Sequence, residues 1–221
     1  MEYFSLARAG SLRAPFSLGA AVILAINLTG CTASEDEMLK DANCQGKALT
    51  SREDGRKVLE LLPDDIDKIE SGYYERNLSL YEGYCSVSDA EHRGLPEFVI
   101  DAAFLTEGAD PSKLSRRELV EPFDVDGRLL RIGSKGAHLG GVSGGGDAVL
   151  RVPCTTSRST GLPPERRHGA MAVAARTEDA PDADSLEQRQ NAADLALSFL
   201  RHAVKNCEDD PKVPKTVDIH E

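Results

Sequence analysis

The chain has 221 residues, a formal charge of −11, no tryptophan and only 5% aromatic residues. A body this acidic is a poor partner for nucleic acid, whose phosphates need clustered Lys and Arg, and the scarcity of aromatics argues against broad stacking platforms for sugars. The length suits one domain with a real core, or two small halves packed together.

Residues 1–15 carry Arg8 and Arg13 against one acid, Glu2, and no charge follows from Phe16 to Leu28. A basic start and a short apolar run form a secretory signal. The run of thirteen residues is shorter than the roughly 20 of a spanning helix. It closes on Leu28-Thr29-Gly30-Cys31, which resembles the bacterial lipobox. The resemblance implies that the Cys31 thiol receives a diacylglyceryl group and that Cys31 becomes the new N-terminus. Two or more acyl chains hold a protein on a membrane stably. The expected partner is therefore a membrane, reached through the lipid on Cys31, with the domain on the extracytoplasmic face. Residues 1–30 form the leader, and its removal leaves the remainder near −12.

Without Cys31, the cysteines are an even set: Cys44, Cys85, Cys154 and Cys207. Export places them where disulfides persist. Four cysteines allow three connectivities. Cys44–Cys85 and Cys154–Cys207 are favoured because neighbours in sequence tend to share a folding unit. Each would close a loop of about 40 to 55 residues and contribute roughly 4 kcal/mol. No Cys-x-x-Cys pair and no histidine at ligand spacing suggests metal, and no cofactor is expected.

Residues 31–43, with Glu35-Asp36-Glu37, form an acidic, flexible spacer. Thr50 and Glu53 have capping-box spacing ahead of Val58, Leu59, Leu61 and Leu62, and Pro63 ends that helix. Ile66 and Ile69, three apart, suggest a further helical turn or two over 64–71. Alternation from Asn77 to Val87 predicts a strand, close to Tyr73, Tyr74, Tyr81 and Tyr84. Those tyrosines either line a ligand surface or cover a half-buried sheet. Phe98–Leu105 is a buried strand or a short helix, and a brief helix starts near Ser115.

Gly127–Ser134 and Ala148–Cys154 predict antiparallel strands, with the Gly-rich stretch 135–147 as a mobile hairpin loop between them. Gly169–Thr177 adds a strand. Ser185 and Gln188 then open the clearest helix. Leu186, Ala193, Ala196, Leu197, Leu200, Val204 and Cys207 share its apolar face, while Arg189, Asp194, Arg201 and Lys205 fall elsewhere. Residues 208–221 form a loose tail. The order of elements argues for an α+β fold: a mainly antiparallel sheet with helices on one face, disulfide-stapled, with two half-units as a variant. The folded domain is expected over 44–207.

Chemical motifs are few. Gly141-Val142-Ser143-Gly144-Gly145 fits Gly-x-Ser-x-Gly, but a strand follows instead of the helix that a nucleophile elbow needs. Asp124 and Asp126 lack the later ligands of an EF-hand. Neither a P-loop nor His-Glu-x-x-His is present. No catalytic residue is assigned.

The lipobox, acidic spacer, four further cysteines and terminal helix resemble secreted lipoproteins of Gram-positive, actinobacterial type. That resemblance is specific over residues 1–31 and loose over the rest. The expected function is a lipid-anchored extracytoplasmic binding or interaction module of unknown ligand. The rivals are a cell-envelope enzyme with a site assembled from distant residues and a small solute-binding subunit.

Overall fold

The computed structural model describes residues 34–77, 81–91, 96–106, 110–121, 123, 125, 128–134, 138–156, 162–163, 166–178 and 180–220. Cys31, Leu78, Leu80, Asp124 and Asp126 lie outside these described residues.

The chain begins with a helix where a flexible spacer was expected. Glu35–Ala42 forms α1, capped by a reciprocal bond pair between Ser34 and Glu37, and it buries Leu39 and Ala42. The acids that suggested a solvated spacer occupy its first turn, where the helix dipole favours negative charge. Helix α2, Arg52–Leu61, is capped one residue later than expected, by Ser51 and Asp54. Ser51 Oγ accepts from Asp54 N at 2.9 Å and Asp54 Oδ2 accepts from Ser51 N at 3.1 Å. Glu53 instead accepts from Arg56 at 2.9 Å.

The strands are β1 Ile69–Asn77, β2 Tyr81–Asp89, β3 Phe98–Leu105, β4 Leu130–Gly133, β5 Gly140–Gly144, β6 Asp147–Thr155, β7 His168–Thr177 and β8 Asp218–His220. They make one antiparallel sheet in the order β1-β2-β3-β7-β6-β5-β4-β8. Two meanders, β1–β3 and β4–β7, therefore meet where β3 pairs with β7. Of the helical turns expected over 64–71, residues 69–71 belong to β1 instead, paired from Ile69↔Asp89 onward, and 64–68 form a turn and irregular chain.

The expected loop 135–147 also contains a strand. Gly145 and Gly146 make a two-residue turn with φ of +33° and +84° between β5 and β6, the backbone that a tight hairpin asks of glycine. Gly141 has a packing reason: a Cβ there would lie 2.9 Å from Val149 O and would also press on Leu150.

The sheet's inner face carries Cys85, Val87, Phe98, Ile100, Ala148, Leu150, Met171, Val173 and Ala175, all fully buried. Helix α4, Leu186–Ala203, lies across it and buries Ala192, Ala193, Leu195, Ala196, Phe199, Leu200 and Ala203. Two assignments on α4 change. Leu186 is 65% exposed, whereas Arg189 is 3% exposed. The first turn reaches past the sheet, and Arg189 turns inward to carbonyls that its guanidinium satisfies. Residues 208–221 are not wholly loose either. Val217 is buried and β8 pairs with β4.

The disulfides are Cys44–Cys85, with Cα atoms 6.1 Å apart, and Cys154–Cys207, with Cα atoms 5.3 Å apart. The first ties the connection between α1 and α2 to β2. The second ties the end of α4 to β6, beside an isolated bridge between Thr156 and Cys207. The loops span 41 and 53 residues. Replacing either pair by serine should lower unfolding free energy by about 4 kcal/mol, read by urea titration. An unchanged midpoint in either variant would show that its cross-link does not constrain the unfolded chain.

Candidate functional site

The sheet has a second, outer face, and it is covered unevenly. Between β3 and β4 the chain passes through a 3-10 turn at Pro111–Lys113 and a short helix, α3, at Arg116–Val120. Leu119, fully buried, packs with Val142, Val149 and Ala174, with Leu114, Val120, Phe123 and Val125 around them. Arg116 Nη1 donates to Leu129 O at 2.8 Å and Arg131 Nη2 to Leu114 O at 2.9 Å, pinning the segment to the sheet. Gly140 sits directly beneath it, where any Cβ would collide with the Pro111 carbonyl.

This cover lies over β5, β6 and β7. Among the described residues the outer face of β1, β2 and β3 is partly open beyond Phe123, and a groove of about 480 Å³ forms at the boundary. Tyr74, Glu82, Tyr84, Asp101, Phe123 and Arg176 line it. Register explains the gathering. Tyr74 opposes Tyr84, Tyr84 opposes Asp101, and Asp101 opposes Ala174, so a row of directly paired residues points the same way. Arg176, two residues from Ala174 and opposite Val99, reaches diagonally to Asp101. Its Nη2 donates to Asp101 Oδ2 at 2.5 Å. Ala103, on the same face of β3, leaves room above the strand.

The ion pair is incompletely satisfied. Asp101 Oδ1 and Arg176 Nε are buried without a hydrogen-bond partner among the described residues. Burial pushes the Asp101 carboxyl up, and Arg176 only partly offsets this by its charge and hydrogen bond. Farther along the same face Arg151 opposes Ala172 and Gly140. It is 7% exposed, with Nε and Nη2 unpartnered among the described residues. Burial pushes its guanidinium down, and the field of Glu121 opposes this.

A second cavity, of about 540 Å³, opens at the start of α4 between Arg128, Leu130, Asp184, Leu186, Arg189 and Ile219. Its central cation is fully engaged. Arg189 donates to Arg128 O at 2.9 Å, Ser143 O at 3.2 Å, Asp184 O at 3.4 Å and Asp184 Oδ1 at 2.5 Å. It works as a brace. The outer groove is the better candidate because aromatic rings and a partly exposed ion pair line it together.

Ser143 is fully buried on β5, and its hydroxyl donates to Asp147 O at 3.0 Å across the Gly145-Gly146 turn. Its surroundings are strand and turn, so the Gly-x-Ser-x-Gly spacing serves the hairpin. The sulfurs of Cys154 and Cys207 lie near Asp209, but disulfide sulfur is no thiolate ligand, and Asp209 accepts from Thr155 N and Oγ1 at 3.0 Å each. His202 is partly buried, with Nε2 3.6 Å from Glu75 Oε1.

Of the tyrosines singled out in the sequence, Tyr74 and Tyr84 line the groove. Tyr73 faces the other way, donating to Glu75 Oε2 at 2.7 Å, and burial followed by this bond pushes its hydroxyl upward. Asp101, Arg176, Glu82 and Phe123 were not singled out. The available signal was a lone acid within the apolar run Phe98–Leu105 and a lone cation at the end of Ala170–Ala175. The chain matches no protein-family model, no curated protein and no solved structure.

The Asp101 carboxyl yields a pH test. Its folded-state pKa lies above the unfolded value, so the native state binds more protons between the two, and stability falls as pH rises through that window. Asp101→Asn should remove this slope, making wild type lose ground to the variant with rising pH beyond the constant offset from the lost ion pair. Arg176→Gln should push the carboxyl higher and cost about 1–3 kcal/mol at neutral pH. Urea unfolding from about pH 3 to 8 reads both. Parallel profiles for wild type and Asp101→Asn would contradict the assignment.

Proposed function

We propose that this chain is a lipid-anchored extracytoplasmic binding module, held to the membrane by a diacylglyceryl group on Cys31, that takes its ligand in the outer-face groove. The groove carries the binding reading through one observation: an aromatic-walled cleft whose floor holds a partly exposed acid–base pair, Asp101 and Arg176. A ligand with an apolar body would rest on Tyr74, Tyr84 and Phe123 and meet the partly exposed side of the Asp101–Arg176 pair with its own donor and acceptor. Glu82 at the rim favours a cationic or amide-bearing end.

The lining is a recognition set of tyrosines, carboxylates and a guanidinium. It favours binding over the rival envelope enzyme. A two-lobed solute-binding subunit fits less well, since the groove lies on one face of one sheet rather than between lobes. The anchor reading rests on Leu28-Thr29-Gly30-Cys31 after its apolar run. No helix among the described residues is long and apolar enough to cross a membrane.

Two experiments test the two parts separately. In cells fed a fatty-acid label, the wild-type chain should be labelled and partition into detergent, and Cys31→Ala should lose both properties; undiminished labelling of the variant removes the anchor. For the groove, a photoreactive phenylalanine analogue placed at Tyr84 should form a mass-resolved adduct in cells, and the same analogue at exposed Glu187 should not. Equal adducts at both positions, or none at Tyr84, would sink the groove reading.

A further inference from the structure

The sheet ends in two edges of very different character. One is β8, three residues long. The other is β1, nine residues long, paired to β2 without interruption from Ile69↔Asp89 to Asn77↔Tyr81. Long edges are ordinarily blunted by proline, a bulge, a covering element or charged side chains, and of these β1 carries charge, at Glu70, Glu75 and Arg76, with α1 beside it through the Ser71 Oγ to Asp41 Oδ1 bond of 3.4 Å. Strand β1 contains no proline, and its register with β2 shows no bulge.

Hydrogen-bond phase fixes which groups of β1 face outward. Ala90 N donates to Lys68 O at 2.9 Å in the β1–β2 register, so even-numbered residues of β1 bond to β2. The N–H and C=O groups of Ile69, Ser71, Tyr73, Glu75 and Asn77 therefore point to the free edge. The side chains on the outer face are Glu70, Gly72, Tyr74 and Arg76, all exposed.

That row is complementary to itself. Laid antiparallel against a second copy about a two-fold axis through Tyr73, every outward residue meets an outward residue, and the whole strand overlaps. Glu70 then opposes Arg76 of the second copy and Arg76 opposes its Glu70, while each Gly72 opposes a Tyr74. Opposite charges directly across a strand pair are favourable. Gly72 leaves bare strand, with only Ser86 Oγ near the position of an added Cβ, and an aromatic ring covers such a glycine well. Arg76, which already pairs with Glu82 within the chain, would sit between two carboxylates. Moving the axis to Gly72 sets Arg76 against Lys68. Moving it to Tyr74 shortens the overlap and leaves Arg76 against glycine.

From this complementarity we infer that two copies of the chain associate through β1, antiparallel about a two-fold axis through Tyr73, into one continuous sheet. The inference is independent of the groove and of the anchor.

Charge exchange tests it. Glu70→Lys places lysine against arginine in a self-pair, and Arg76→Glu places glutamate against glutamate. A mixture of the two variants restores both opposite-charge pairs. Both positions are exposed, and although Arg76→Glu also loses its in-chain pair with Glu82, that local cost is the same in the mixture, so recovery of the heterodimer is the deciding readout. The full-length chain, purified in detergent, should sediment at twice its chain mass. Each single variant should dissociate about ten-fold or more readily, and the equimolar mixture of differently tagged variants should recover a heterodimer near wild-type affinity. A monomeric wild type, dimeric single variants, or a mixture that fails to re-associate would each overturn the proposal. Extended-peptide capture by monomeric wild type would assign the edge to another partner, and so overturn it as well.

Discussion

The structure depends on one contact, the burial of α4 against the inner face of β3, β7 and β6. The helix offers small residues where it comes closest, Ala192, Ala193, Ala196 and Ala203, and large ones between them, Leu195, Phe199 and Leu200, all fully buried. The strands answer with Ala148 and Ala175 among Leu150, Met171, Val173 and Phe98. Small against large lets the two surfaces interdigitate at the density of protein interiors. Each large side chain removed from water contributes about 1.5–3 kcal/mol. Helix α2 also packs against α4. Its polar groups there are tied down. Lys57 bonds Asp194 at 2.5 Å, Asn191 reaches Glu60 Oε2 at 2.9 Å, and Gln188 reaches Glu60 O at 2.8 Å.

Both ends of α4 are locked to the same sheet by different chemistry. At the start, Arg189 is held by the backbone carbonyls of Arg128 and Ser143, beside β4 and on β5. At the end, the Cys154–Cys207 disulfide, the Thr156–Cys207 bridge and the bond from Glu208 N to Thr155 O at 2.7 Å hold the chain on β6. A buried guanidinium is tolerable only when its donors are met. Here that requirement makes it a positional clamp. Of the strands that carry the outer groove, β3 and β7 are thus supported from behind by an element held at both ends.

Much of this was legible because hydrophobic period is a local signal. The apolar face of α4 from Ala193 to Leu200, the strand Gly169–Thr177 and the α+β class follow from patterns within short windows, whereas Phe98–Leu105 left strand and short helix open and the cysteine pairs were only favoured among three connectivities. What escaped depends on partners far away in sequence. Gly140 and Gly141 read as loop because glycine signals flexibility, yet they are glycine because Pro111 and Val149 pass so near. Glu35-Asp36-Glu37 read as solvated spacer, although the same acids cap a helix whose Leu39 is buried. Arg189 read as surface because charge normally is, and only the carbonyls of Arg128 and Ser143 reverse that. For the groove, Tyr74 and Tyr84 were visible as a cluster, but Asp101 and Arg176 are seventy-five residues apart and are joined only by the pairing of β3 with β7.

The uneven cover of the outer face has a physical origin in side-chain size. Over β5, β6 and β7 that face is built from Gly140, Val142, Val149 and Ala174, a shallow apolar surface on which Leu119 and its neighbours can settle. Over β1, β2 and β3 it presents Tyr74, Tyr84, Glu82 and Asp101, larger and polar, which offer an apolar helix no such shallow seat. Among the described residues the cover reaches Phe123, where the surface changes character. The same change leaves β1 with an open face and an open edge, so the two exposed features of the fold lie on adjoining strands. A ligand on the groove and a second chain on the edge would both touch Tyr74, whose ring stands between them at 48% exposure. Occupancy of either surface would then fix a side chain that the other uses, and the two would be coupled through the conformation of one residue.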